Sequence, residues 1–147
     1  IFTFLIEHKG GVLPQSKEYS PSVVNRLDHV VIKTSDVDAV IKVYRDAFGI
    51  RLARDKFVEH WKRRLLFFRV DKTTIEVIES SDQEKSMDYL WGIALEVESL
   101  CDAHDRLSGI GVELSSIKPG LKENTVVCTV KSHNHNIPML LIEYLNA

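Results

Sequence analysis

Three side chains in this chain could hold a cation: His29, Glu76 and Glu143. His29 lies in RLDHVVIKTSD, Arg26 to Asp36, a β-branched run. Its alternation puts Leu27, His29, Val31 and Lys33 on one strand face and Val30 and Ile32 on the other. Glu76 and Glu143 interrupt apolar stretches, TIEV and LIEY, at matched places in two halves of the sequence. An unpaired carboxylate is costly to bury, so each is expected to face water, a partner or a metal. Alone, each residue has an ordinary reading: His29 a satisfied core or rim histidine, the glutamates solvated strand residues. Together, one imidazole and two carboxylates facing one cleft would suit Fe, Mn, Ni, Co or Zn in open coordination. Such an ion polarises a substrate oxygen and eases proton removal or oxygen chemistry.

The elements that must position them recur twice. After the first strand, Ser35 or Asp36 can cap a helix carrying Val37, Val40, Ile41, Tyr44 and Phe48, with Gly49 as its stop. Strands follow at Ile50 to Val58, Arg64 to Val70 and Thr73 to Glu79. In the last, Ile75 and Val77 share one face, and Thr74, Glu76 and Ile78 the other. A polar linker, Ser80 to Asp88, leads to the same order again. There is a strand at Trp91 to Glu98, and a Ser99-capped helix with Leu100, Ala103, Leu107 and Ile110. Strands at Val112 to Ile117, Asn124 to Val130 and Ile137 to Tyr144 complete it, with a Pro119-Gly120 loop between the first two. The helix exits GIRL and GVEL match, and the internal period is roughly 60 residues. Each half offers one sheet and one helix, so the halves can enclose a shared cleft, where ligand sites are favoured.

Composition narrows the function classes. The 147 residues, 44% hydrophobic and 27% charged, describe an ordinary globular chain. A net charge of −2 gives no footprint for nucleic acid or anionic membranes. No apolar run approaches the ~20 residues of a membrane span, and the early run Ile1 to Ile6 lacks the basic lead of a signal peptide. Two separated cysteines, Cys101 and Cys128, suit buried small side chains in a reducing compartment, and the expected location is the cytoplasm. Residues 1–25, rich in Gly, Pro, Ser and charge, read as an N-terminal arm. Because FTFLIE is like LLIEYL, they also read as the remnant of a preceding module.

The stretches LDHVVIKTSDVDAVIKVYRDAFGIRL, LLFFRVDKTTIEVIE, WGIALEVESLCDAHDRLSGIGVEL and VVCTVKSHNHNIPMLLIEYL resemble the vicinal oxygen chelate superfamily. This is the group of glyoxalases, bleomycin resistance proteins and extradiol dioxygenases. The resemblance implies an α+β, glyoxalase-like fold: two tandem βαβββ modules, residues 26–82 and 88–147, forming curved mixed sheets around a shared cavity. It implies a homodimer. It also implies a metal-dependent lyase, isomerase or dioxygenase acting on a small oxygen-bearing substrate. The family's ligand positions fall on His29, Glu76, Gly92 and Glu143, with Glu143 also the candidate catalytic base. Gly92 departs from the pattern, since many members carry histidine there.

Two readings therefore stand at this point. A divalent metal binds through the three remaining side chains and water. Alternatively, the cavity binds an organic ligand without metal, as in the antibiotic-binding members, with Trp61, Trp91, Phe67 and Phe68 as stacking surface. The remaining histidines read as peripheral: His60 in an aromatic turn or at the cavity mouth, His104 on a helix, and His133 and His135 in a solvated turn.

Overall fold

The computed structural model describes residues 6–7, 9–11, 20–80 and 88–145. Most of the expected arm, and the linker at 81–87, lie outside the described residues. The elements run β1 (Val24–Thr34), α1 (Val37–Ile41), β2 (Arg51–Val58), β3 (Arg63–Val70), β4 (Thr73–Glu79), β5 (Tyr89–Val97), α2 (Leu100–Gly109), β6 (Lys118–Pro119), β7 (Thr125–Val130) and β8 (Met139–Tyr144). The βαβββ order expected for each half is present.

The two halves join edge to edge into one mixed sheet, ordered β2-β3-β4-β1-β5-β8-β7-β6. The seam is β1 against β5, antiparallel. In each half the first strand pairs in parallel with the last, β1 with β4 and β5 with β8. Both helices lie on the same face. Ile32, Leu66, Phe68 and Val77 pack under α1, and Val97, Cys128 and Leu141 under α2. Phe68 and Leu66 are wholly buried, each worth about 2 kcal/mol of transfer free energy. The pairing His29↔Ala94 and Val31↔Glu76 puts His29, Glu76 and Ala94 on the opposite face, away from the helices.

Local chemistry explains the helix boundaries. Asp36 Oδ1 accepts from Ala39 N at 2.9 Å, and Ser99 Oγ from Asp102 N at 3.3 Å, satisfying first-turn donors. The helix expected through Phe48 is α-helical only to Ile41. Lys42–Ala47 is π-helical, with Phe48 N donating to Val43 O at 3.0 Å. Gly49 (φ 69°) and Gly111 (φ 87°) take the left-handed turns that follow the two helices.

The strand expected at Val112 to Ile117 is reduced to one bridge, Leu114↔Val130. The cause is Ser115: its Oγ accepts from Thr129 N at 2.9 Å, so a side chain substitutes for a backbone partner. The ladder resumes only at β6, within the segment expected to be a loop.

Candidate functional site

On the face away from the helices, β1 is bulged between Leu27 and His29. Neighbouring strand residues normally face opposite ways; here the extra residue lets Asp28 and His29 meet. Asp28 Oδ2 lies 2.7 Å from His29 Nδ1. A carboxylate only accepts, so the imidazole donates from Nδ1 and keeps Nε2 as an acceptor. The Asp28 side chain is 2% exposed and that of His29 15%, so the carboxylate is closed off while a small part of the imidazole meets solvent.

Asp28 is a hub. Tyr144 Oη donates to its Oδ1 at 2.8 Å, and Lys122 Nζ stands 3.3 Å from Oδ2. Lys122 also donates to Tyr144 Oη at 2.6 Å. Arg26 approaches Oδ1 at 3.5 Å while pairing with Glu96. Burial alone would raise the Asp28 pKa, but the bonds from His29 and Tyr144 and the Lys122 charge outweigh it and hold the carboxyl well below its usual range. Burial likewise opposes charge on Lys122, yet Tyr144 and Asp28 keep its pKa raised.

Glu76 is on the neighbouring strand, beside Val31 and on the same face as His29. Burial raises its pKa; the charges of His29 and Lys122 oppose that rise. The structure thus brings His29 and Glu76 together.

Glu143 does not join them. Met139, Leu141 and Glu143 point toward α2, and Glu143 Oε2 accepts from Leu100 N, in the first turn of that helix, at 2.6 Å. The register shows why. Val31, two residues past His29, pairs with Glu76, whereas Ala94, two past Gly92, pairs with Leu140. Leu140 is therefore the counterpart of Glu76. The counterpart of Glu143 is Glu79, whose carboxylate also accepts a backbone N–H, from Arg64 at 2.8 Å. At Gly92 a Cβ would stand 2.8 Å from Pro138 O, so the backbone just ahead of β8 leaves no room for a side chain.

These donors do not fit a catalytic zinc centre, which takes three protein ligands and an open position. His29 and Glu76 supply two, Gly92 none, and Glu143 is committed on the other face. No group of three His, Cys, Asp or Glu is placed to hold an ion among the described residues. A cation, Lys122, already lies close enough to act on Glu76.

The secondary candidates are dispersed. His60 and Trp61 form an edge-on pair, 5.0 Å between ring centroids, in the β2–β3 turn. Phe68 is wholly buried beneath α1 and offers no stacking surface. Phe67, paired with Glu76, does share the site face. His104 contacts Ser115 O, and His133 contacts Ser132 Oγ. A cavity of about 460 Å³, lined by residues including Asn25, Glu96, Glu143 and Tyr144, adjoins the cluster without including His29 or Glu76.

Asp28, Lys122 and Tyr144 were missed by the sequence reading. The signal for Asp28 was its place beside His29; nothing local marked Lys122, 94 residues away along the chain.

The model of the Glyoxalase/Bleomycin resistance protein/Dioxygenase superfamily matches residues 26–129. The chain belongs to this superfamily. Among solved structures it is similar to methylmalonyl-CoA epimerase from Mycobacterium tuberculosis, with 21% identity, TM-score 0.68, and coverage of 88% of this chain and 95% of that one. It is also similar to a hypothetical protein from Bacillus halodurans, with 16% identity, TM-score 0.65, and coverage of 83% and 96%. A third is a Streptomyces coelicolor methylmalonyl-CoA epimerase variant in complex with 2-nitronate-propionyl-CoA, with 16% identity, TM-score 0.64, and coverage of 84% and 100%. At these identities the likeness shows the fold. No curated protein matches the chain.

Proposed function

We propose that the chain binds a small oxygen-bearing molecule on the sheet face shared by His29 and Glu76 and moves a proton on it. The observation that carries this reading is the 2.7 Å contact between Asp28 Oδ2 and His29 Nδ1. It orients the ring and leaves Nε2 as a proton acceptor toward the ligand, with the buried Asp28 stabilising the imidazolium that would form. Glu76, whose pKa is raised by burial, is the second group through which a proton can pass. This makes the reaction class a proton transfer next to a carbonyl or carboxylate, of lyase or isomerase type.

Amide NMR tests the reading. A panel of 2-oxo acids, with methylmalonyl-CoA added because structural neighbours bind it, is expected to shift the resonances of His29, Val31 and Glu76. Deuterium from D2O should enter the bound ligand, and both effects should vanish in His29→Ala. Shifts confined to the α1 and α2 face, or none across the panel, would overturn it.

One observation favours a second reading, the metal-free binder of an aromatic compound. Trp91 is 42% exposed, and Lys33 Nζ lies 5.2 Å from its ring centroid, a ready stacking surface at the edge of the same strands. Quenching of Trp91 fluorescence by the ligand, without any deuterium exchange, would select it.

A further inference from the structure

The proposed site carries a fixed positive charge that the sequence pattern does not reveal. Lys122 is in the loop between β6 and β7, and three bonds hold that loop in shape. Gly120 N donates to Thr125 O at 2.9 Å, Thr125 Oγ1 donates to Lys122 O at 2.7 Å, and Leu145 N donates to Asn124 O at 2.8 Å. Position 120 must be glycine, because a Cβ there would stand 2.2 Å from Thr125 Oγ1. The neighbouring Leu121 is 97% exposed, so apolar packing does not place the loop; its hydrogen bonds do.

Its shape sets the Lys122 ammonium over the Tyr144 ring, 5.2 Å from the centroid, bonded to Tyr144 Oη and in contact with Asp28. An ammonium has three donors. Two are used here, and the side chain remains 48% exposed, so the third is left available. The charge also acts on Glu76 across the same face. A divalent ion at His29 and Glu76 would have to sit beside this ammonium.

We propose that Lys122 is the resident cation of this site, and that it receives the anionic oxygen of a carboxylate-bearing ligand, so that binding needs no divalent metal. This rests on the reading of the His29 face given above and names its ligand class. The loop and Tyr144 spare the lysine part of the ordering cost of gripping an anion. His29 Nε2 then faces the ligand on the same side of the sheet.

The test uses malonate as the probe and malonamide, its uncharged analogue, followed by amide NMR of the full chain, with and without EDTA. Malonate is expected to shift His29 and Val31, malonamide to bind at least tenfold more weakly, and EDTA to change neither. Lys122→Met should weaken malonate at least tenfold, and Lys122→Arg should restore much of the affinity. Both spectra also report whether the variants fold. If Lys122→Met binds malonate as well as the parent while His29→Ala does not, the cation is misassigned and the His29 face stands. If malonate binds only with added Mn2+ or Ni2+, the metal-free claim fails. If malonate shifts nothing on this face, the assignment of Lys122 as carboxylate receptor fails; binding of the 2-oxo acid panel to Lys122→Met then decides separately whether the face itself stands.

Discussion

Asp28 and His29 are consecutive residues of one strand, yet their side chains meet, Oδ2 to Nδ1, at 2.7 Å. A regular pleat forbids this; the bulge in β1 allows it. The same bulge lets the buried carboxylate take bonds from Tyr144 and Lys122, which come from the far end of the other module.

Asp28→Asn is expected to destabilise the fold by about 2–3 kcal/mol, since Lys122 and Arg26 lose the buried charge they neutralise. The parent should also lose stability in acid. An unfolded aspartate takes up its proton near pH 3.9, while folded Asp28 stays ionised well below that. In that window the unfolded chain binds more protons, so this contribution is complete above about pH 5 and is lost as pH falls. Urea melts from pH 3 to pH 7 would show a shallower slope in Asp28→Asn; an unchanged slope would refute the hub.

For Glu76 the sign reverses. Its folded pKa is raised by burial, so any stability linked to it is present at low pH and lost as pH rises through the folded value. Glu76→Gln should therefore raise Tm at pH 7 relative to the parent, and by less at pH 4, while abolishing deuterium exchange into the ligand. A lower Tm at pH 7 would mean that the charged form is favoured in the fold.

Gly92 is constrained by the Pro138 carbonyl at the entrance to its parallel partner strand. Gly92→Ala puts a methyl group against Pro138 O, which already accepts from Ile93 N at 3.0 Å. A loss of about 1–3 kcal/mol is expected from overpacking. Gly92→His, which would restore the family's ligand type, is expected to destabilise similarly and to create no Ni2+ site by calorimetry.

Glu143→Gln is expected to cost about 1 kcal/mol by weakening the carboxylate bond to Leu100 N at the start of α2. Malonate binding at the His29 face should be unchanged. A loss of ligand binding with stability intact would return Glu143 to the site.

Much of the architecture was legible in the chain. The alternation of TTIEVIE correctly set Glu76 opposite Val77, and the RLDHVVIKTSD run correctly put His29 with Val31. The capping residues and the repeated βαβββ order were local signals of short range, which is why they could be read. Ser115 defeated the strand expected around it because a side-chain bond replaced a ladder bond, a competition that periodicity does not register.

The composition of the candidate site was a different matter. By itself the sequence determined two βαβββ modules and, within each strand, which residues lie on the side of His29 or of Glu76, because strand parity is a property of neighbouring residues; that the two share a face rests on the pairing of β1 with β4. Only the tertiary structure decided that Glu143 serves α2 and that Asp28, Lys122 and Tyr144 surround His29. Those outcomes depend on the register of β8 against β5 and on one bulge in β1. A shift of a single residue in either turns a side chain to the other face, and pairing across the sheet, not local pattern, sets that register.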